Sequence, residues 1–177
     1  MTFFKKKLFI AVSAILLLAS CSASAHGEIK KTESISNIKQ ISVQKSLKYH
    51  RNYYQMIHLI KYVKTRVNRT PYVFSGASTH GWDCSGMVYW FYKQFGLEIP
   101  HSANKQGHIG YRVSEPKLGD IVVMAYQGNQ NFYHAGLYVG DNKVLNSNFY
   151  YGTTVIEKLS DYKNSQVRFV RVVETKH

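Results

Sequence analysis

Residues 81–96 have the sequence GWDCSGMVYWFYKQFG, and this segment sets the character of the domain. From Cys84 onward, apolar residues recur at the three- and four-residue spacing of a buried helix, and Gly96 is a typical C-terminal cap. The sequence therefore predicts a helix over residues 84–95 that begins at a cysteine. The N–H groups and the dipole at such a helix start both stabilise a thiolate.

Before this segment, an apolar stripe between Tyr49 and Val67 predicts another helix, which ends ahead of Pro71. Residues 71–83 contain Pro71 and two glycines and are typical of a loop. After Gly96, Ser102 is a typical N-cap for a short helix that reaches His108. The first half of the domain is thus predicted to be helical.

The second half lacks a helical period and contains runs of strand-forming residues separated by glycine turns. The predicted strands are residues 121–126, 134–139, 143–146, 153–157 and 167–173. Helices followed by hairpin-linked strands indicate an α+β domain. We expect N-terminal helices packed on a mainly antiparallel sheet of five to six strands.

The N-terminus has the features of a signal peptide, with three lysines at positions 5–7 and an apolar run over residues 8–18. Two cleavage sites compete. The segment Leu18-Ala19-Ser20-Cys21 resembles the lipobox of bacterial lipoproteins, in which the cysteine is acylated, and an ordinary signal peptidase could instead cut after Ala25. We favour the lipobox, with a signal peptide over residues 1–20, a tether over 21–48, partly helical or disordered, and a domain over 49–177.

The chain has two cysteines, and Cys21 is either acylated or removed under these two schemes. Cys84 is then the one thiol of the mature domain, and a solitary thiol in an exported protein is a liability unless it is used. Cysteine counting therefore points to catalysis at Cys84.

Charge and histidine spacing narrow the ligand classes. The net charge is +13, and about +10 without residues 1–20, which suits an acidic polymer or a generic solvated surface. An exported protein rarely meets nucleic acid, so we expect no nucleic-acid partner. The histidines show no metal-binding spacing, so we expect neither a metal nor another cofactor.

A nucleophilic cysteine needs a histidine beside it and a polar group to orient that histidine. His134 opens a predicted strand, and Asn146 lies on the next one across a glycine turn. A hairpin can place the two side by side. Cys84, His134 and Asn146 would then form a Cys-His-Asn arrangement.

Several segments, in order and spacing, closely resemble the NlpC family of cell-wall endopeptidases. The matching segments are residues 71–76, 81–86, 100–102, 106, 118–122 and 134–140. The resemblance covers roughly residues 50–173 and includes a polar residue twelve positions after the histidine. It implies a papain-like α+β domain that hydrolyses peptidoglycan stem peptides, typically between γ-linked D-glutamate and diaminopimelate.

The resemblance also implies roles for individual residues. Cys84 is the nucleophile, His134 the base and Asn146 the orienting residue. A second group of residues is expected to contact the substrate. Two of its members also have a structural interpretation, which is aromatic packing for Tyr72 and helix capping for Asp83. This group is Tyr72, Asp83, Ser85, His101 and Ser102.

Two departures from the family pattern bear on the site. Asn146 stands where the family most often has histidine, and asparagine suits the orienting role. His101 stands where arginine is common, and histidine cannot form the bidentate contact that arginine makes with a carboxylate. This second change affects the expected substrate more than the expected reaction.

The resulting prediction is a monomeric cysteine peptidase of the cell envelope, held on a membrane by an acylated Cys21, on the periplasmic side if the cell is Gram-negative. Its partners are peptidoglycan stem peptides. Two alternatives remain: an amidase or acyltransferase on the same scaffold, and a non-catalytic lipoprotein that binds the wall.

Overall fold

The computed structural model describes the backbone of residues 3–175 and the side chains of residues 34–175. Contacts between Cα atoms divide the chain into two units, Met1–Lys48 and Tyr49–His177. The side chain of Cys21 lies outside the described residues. In the part of the chain that the structure describes, no helix carries an apolar stretch long enough to cross a bilayer.

Helix α1, Phe3–Lys64, contributes residues to both units. In the first unit, residues 34–48 are helical, within the stretch for which the sequence predicts a tether. The large apolar side chains of this stretch are exposed: Ile35, Ile38, Ile41, Val43 and Leu47. Among the described residues, every buried large apolar side chain belongs to the second unit.

The second unit continues from the end of α1 with two short strands, two helices and six longer strands. Strands β1, Ala77–Ser78, and β2, Gly81–Trp82, form a small antiparallel pair. Helix α2 is Cys84–Lys93 and helix α3 is Ala103–Gln106. The strands that follow are β3 Tyr111–Val113, β4 Ile121–Tyr126, β5 Phe132–Tyr138, β6 Lys143–Asn148, β7 Thr153–Lys158 and β8 Ser165–Arg171.

The six longer strands form one sheet in the order β3-β8-β4-β5-β6-β7, and all its pairs are antiparallel. Consecutive strands from β4 to β7 are neighbours, as hairpin connections require. The α+β class and the antiparallel sheet predicted from the sequence are confirmed.

The main core lies between one face of the sheet and the helices. Helix α2 contributes Met87, Val88 and Phe91, and the C-terminal part of α1 contributes Met56 and Ile60. The opposite face of the sheet buries a smaller cluster around Val122, Met124 and Val144. Burial on both faces explains why β4 is a continuous apolar run rather than an alternating one.

Helix α2 is fixed at both ends. Asp83 caps its start by accepting a hydrogen bond from the backbone N–H of Gly86 at 2.6 Å. At its end, the N–H of Gly96 donates to Lys93 and that of Leu97 to Tyr92, and Gly96 has a φ of +73°. These two bonds form a Schellman motif, so Gly96 closes the turn as predicted, although the regular helix ends at Lys93.

Some elements differ from the sequence prediction. Residues 71–83, predicted as a loop, contain the short strands β1 and β2. Strand β3 was not predicted. Strand β5 begins at Phe132, two residues before the predicted start at His134.

Candidate active site

Cys84 is the first residue of α2, and its side chain is partly exposed. Burial raises the pKa of its thiol, and the nearby charge of Asp83 raises it further. Hydrogen bonds from the backbone N–H groups of Ala135, Ser85 and Cys84 itself act in the opposite direction. The bond from Ala135 brings the sulfur to strand β5, at the residue that follows His134 in the sequence.

A β-bulge in β5 lies directly before His134. Met124 of β4 pairs with His134, whereas the next residue, Ala125, pairs with Phe132. Tyr133 is therefore an extra residue, and Phe132 returns to the main core while Tyr133 is exposed. Bulges of this kind commonly redirect a side chain next to an active site.

Aromatic rings lie roughly parallel to the imidazole of His134. The Tyr162 ring is 6.2 Å away between centroids at an interplanar angle of 20°, and the Tyr133 ring is 6.4 Å away at 29°. The Tyr133 hydroxyl in turn contacts Ser165 Oγ at 2.6 Å. These neighbours restrict the orientation of the imidazole.

Asn146 on β6 contacts His134 through a hydrogen bond of 3.0 Å between Asn146 Oδ1 and His134 Nε2. Gly136 of β5 faces β6 at this point, and an added Cβ there would lie 3.0 Å from the Cβ of Asn146. The missing side chain of Gly136 therefore leaves room for Asn146 to reach across to the histidine.

The orientation of the Asn146 amide is determined by its other contact. Asn146 Nδ2 donates to Glu157 Oε2 at 2.9 Å, and a carboxylate only accepts, so Oδ1 must face the histidine. His134 Nε2 must then carry a proton in order to donate. In the neutral ring, Nδ1 is left with its lone pair.

Burial lowers the pKa of His134, while the Asn146 hydrogen bond and the charges of Glu157 and Asp83 raise it by less. A raised thiol pKa and a lowered imidazole pKa both favour the neutral forms of Cys84 and His134. This arrangement can remove a proton from the thiol and return it to a leaving group, which is general base and general acid chemistry.

Asp83 is the centre of a hydrogen-bond cluster beside the cysteine. Besides capping α2, its carboxylate accepts from Ser85 Oγ at 3.0 Å and from the N–H of Ser75 at 3.0 Å. His101 Nε2 lies 3.0 Å from both carboxylate oxygens. Of the two interpretations of Asp83, the structure shows the helix cap, and a substrate contact stays a prediction.

The other predicted substrate residues lie around this cluster. The ring of His101 stacks on Tyr89 at 5.9 Å between centroids, and Ser102 caps α3 through the N–H of Lys105. Tyr72 is close enough to the cysteine for the Cys84 charge to raise its pKa, after burial as the larger cause. Its ring also meets Phe149 edge-on at 5.5 Å.

Gly86 explains why this cluster is compact. A Cβ at this position would collide with the carbonyl oxygen of Gly76 and would lie 2.8 Å from His101 Nε2. Only glycine lets the first turn of α2 approach the preceding loop so closely.

The described part of the chain contains no group of three potential metal ligands.

Comparison with protein families decides the relationship of the chain. The model of the NlpC/P60 family matches residues 69–173. The chain belongs to the NlpC/P60 family.

Two bacterial relatives illustrate the similarity of this NlpC/P60 domain. The gamma-D-glutamyl-L-lysine dipeptidyl-peptidase of Bacillus subtilis (strain 168) is 41% identical over 80 residues, which are 44% of this chain and 27% of the relative. The murein DD-endopeptidase MepH of Escherichia coli (strain K12) is 40% identical over 83 residues, 44% of this chain and 31% of the relative. The matched region is thus less than a third of either relative.

Solved structures share the fold. A crystal structure of an NlpC/P60 family protein from Bacillus cereus has a TM-score of 0.60 and 27% identity, and the match covers 66% of this chain and 39% of that one. The papain-like α+β fold predicted from the sequence is therefore confirmed.

The structure brings Cys84, His134 and Asn146 of the NlpC/P60 domain together and places Asp83, Ser85 and His101 in one cluster beside them. It also contains a residue that the sequence analysis did not single out. The carboxylate of Glu157 contacts Asn146, Asn148 and Tyr162. No sequence signal identifies it, because these contacts depend on the register of β6 and β7.

Proposed function

We propose that this NlpC/P60 domain is a peptidoglycan hydrolase, a cysteine endopeptidase that cleaves stem peptides. The observation that carries the proposal is the hydrogen bond that His134 donates to Asn146, on a strand that contacts a cysteine at a helix N-terminus. The names of the two bacterial relatives, one a murein endopeptidase and one a γ-D-glutamyl peptidase, support the substrate class.

In the proposed reaction, His134 Nδ1 removes the proton of the Cys84 thiol as the sulfur attacks the carbonyl carbon of the scissile amide. The resulting oxyanion forms beside the N-terminus of α2, where backbone N–H groups stabilise negative charge. Collapse of this intermediate breaks the C–N bond, and the protonated His134 gives its proton to the leaving amine. The acyl group stays on Cys84 as a thioester.

Water completes the cycle. His134 removes a proton from the water molecule as its oxygen attacks the thioester carbon, and the sulfur leaves as a thiolate. The imidazolium then returns the proton to the sulfur. The products are a carboxylic acid and an amine, and the protein ends in its starting protonation state.

For the scissile bond, we propose the amide between γ-linked D-glutamate and diaminopimelate. The bacterial relatives carry names that specify different bonds, a γ-D-glutamyl bond in one and a DD bond in the other. In this chain His101 lies against Asp83 where the family commonly has arginine, and the identity of the released fragments measures the effect of this change on substrate choice.

The decisive experiment is digestion of purified peptidoglycan by the full chain in detergent, with fragments identified by mass. We expect the wild type to release fragments with new γ-D-glutamyl termini and Cys84→Ala to release none. Cys84→Ser serves as the matched control, since it keeps the same number of side-chain heavy atoms and a polar group in place of the sulfur, and it is also expected to be inactive while folding normally. Fragments cleaved at a DD bond would show that the proposed scissile bond is wrong, while the assignment as a peptidoglycan hydrolase would stand.

Other outcomes point to the two alternatives. Transfer of the stem peptide to an added amine, in place of hydrolysis, would indicate an acyltransferase. Binding of peptidoglycan without release of fragments by any variant would indicate a non-catalytic wall-binding protein and contradict the proposal.

We also propose that an acylated Cys21 holds the domain at a membrane of the cell envelope. The support is the position of Cys21 directly after Leu18-Ala19-Ser20 at the end of an apolar run, because acyl chains give membrane binding without a spanning helix. Cells fed a radioactive fatty acid are expected to label the wild type and not Cys21→Ala. Equal labelling of both, or of neither, would contradict the anchor.

A further inference from the structure

The carboxylate of Glu157 lies behind the orienting residue of the proposed catalytic site. Its Oε2 accepts hydrogen bonds from Asn146 Nδ2 and Asn148 Nδ2, each at 2.9 Å, and from the Tyr162 hydroxyl at 2.6 Å. Three donors on one oxygen hold a carboxylate firmly, since hydrogen bonds to an ionised acceptor are about twice as strong as neutral ones. Glu157 is thus a firmly held carboxylate that is linked to His134 through the side chain of Asn146.

The strands and the following turn determine this position. Asn146 of β6 pairs with Val155 of β7, so Glu157, two residues further on, lies diagonally opposite on the same face. Tyr162 follows the short 3₁₀ helix Leu159–Asp161, which brings the chain back over Glu157. Burial and the hydrogen bond to Glu157 both raise the pKa of Tyr162, so its phenol stays protonated and remains a donor.

The consequence for Asn146 follows from donor and acceptor roles. A carboxylate cannot donate, so it selects the Nδ2 end of the amide and leaves Oδ1 for the histidine. If the amide turned around, its NH₂ group would face His134 Nε2, and that nitrogen would have to accept. The neutral ring would then carry its proton on Nδ1, which would present an N–H and no lone pair to the thiol.

We propose that Glu157 is a positioning residue: it fixes the amide of Asn146 so that His134 keeps its proton on Nε2 and offers Nδ1 to Cys84. The inference rests on the proposed function, in which Cys84 and His134 carry out the reaction. Glu157 does not touch the reacting atoms and acts only through Asn146 and through its charge.

The charge of Glu157 has a second, separable effect on the histidine. Ionisable groups from four parts of the fold act on the imidazole or stack against it: Asp83, Tyr133, Glu157 and Tyr162. Cys84 follows Asp83 at the start of α2. Among them, the carboxylates of Glu157 and Asp83 raise the pKa of His134 against the larger effect of burial. Removing the Glu157 charge should lower that pKa and move the acid limb of activity to lower pH.

The test compares Glu157→Gln with the wild type, using the full chain in detergent. Glutamine keeps the length of the side chain but adds an NH₂ group, so it no longer forces the orientation of the Asn146 amide. We expect the ring nitrogen chemical shifts of His134, measured by NMR where the ring is neutral, to report Nε2–H in the wild type and an increased Nδ1–H share in the variant. The His134 signals are assigned by their loss in His134→Ala.

Kinetics supply the second measurement. We expect kcat/KM of Glu157→Gln to fall about 10- to 100-fold, the range seen when an outer-shell partner of a metal-bound histidine is lost, and its acid limb to lie at lower pH. The matched control is Asp141→Asn, which removes one negative charge from an exposed position and is expected to leave tautomer, rate and pH profile unchanged. Glu157→Ala, which likewise removes the carboxylate, replaces Glu157→Gln if the latter does not fold.

The outcomes separate this inference from the proposed function. A wild type that digests no peptidoglycan defeats the proposed function, while the tautomer measurement still decides the role of Glu157. An unchanged Nε2–H tautomer in the folded Glu157 variant overturns the positioning role, whatever its rate.

Discussion

At the scale of single residues, the resting state of the site is determined by burial acting on two groups in opposite directions. Desolvation disfavours the charged form of each group, which raises the pKa of the Cys84 thiol and lowers that of the His134 imidazole. Backbone N–H groups around the sulfur offset part of the first effect, to which Asp83 adds. The Asn146 hydrogen bond and the carboxylates of Glu157 and Asp83 offset part of the second. A neutral thiol beside a neutral imidazole is therefore the expected resting pair.

This leads to a prediction about pH. His134 is expected to titrate below its ordinary pKa of 6.5, since burial is the largest influence on it. Because the base must be unprotonated to accept the thiol proton, activity should persist as the pH falls below 6.5 and be lost only as it passes through the lowered pKa.

NMR titration of His134 in the full chain checks this directly, with the acid limb of kcat/KM as the kinetic counterpart. A titration midpoint at or above 6.5 would contradict the prediction. It would show that the Asn146 hydrogen bond and the nearby carboxylates outweigh the effect of burial on the imidazole.

At the scale of elements, the sequence predicts best what depends on local pattern and burial. The bounds of β4 are predicted correctly because its apolar run is buried on both faces. The start of α2 is also correct, since Asp83 is a typical cap. These features can be predicted from the sequence because the side chains that form them are neighbours in it.

Elements that depend on partners distant in the sequence are not predicted from local sequence pattern. Strand β3 has only three residues and exists through its pairing with β8, which lies some sixty positions away in the sequence. The bulge at Tyr133 interrupts the alternation of β5, so the sequence places the strand start two residues too late. Pairing of this kind is decided by tertiary contacts and not by strand propensity.

In the candidate site, too, some residues can be predicted from local sequence features and others depend on tertiary contacts. Cys84, His134 and Asn146 follow from residue type, predicted elements and a family resemblance. Glu157 does not, because an acidic residue at the end of a strand is ordinary in a sequence. Its meaning appears only when the register of β6 and β7 and the return of Tyr162 bring three donors to its carboxylate.

At the scale of the whole molecule, a buried ion pair joins the end of β8 to the start of β4 in the middle of the sheet. Arg171, at the end of β8, donates to Asp120, just before β4, at 2.7 and 3.0 Å, and both side chains are less than 10% exposed. Arg171 also donates to the carbonyl of Glu115. The pair lies on the strands that support β5, and it takes no part in the proposed chemistry.

Arg171→Met is therefore expected to lower stability without altering the site. It leaves the carboxylate of Asp120 buried without its charged partner, which should reduce the free energy of unfolding by about 3–5 kcal/mol. The double variant Arg171→Met, Asp120→Asn should recover much of the loss, because no uncompensated charge remains. Lys143→Met, which breaks an exposed pair of 3.9 Å with Asp141, is the matched control and should cost less than about 1 kcal/mol.

Urea unfolding of the four proteins measures these differences, and the acid limb of kcat/KM measures the site in parallel. We expect the limb to stay at the wild-type pH in Arg171→Met, because the charges that act on His134 belong to Asp83 and Glu157. A shifted limb with unchanged stability would reverse the assignment and link the ion pair to catalysis. Equal losses in Arg171→Met and Lys143→Met would show that burial does not set the cost of breaking the pair.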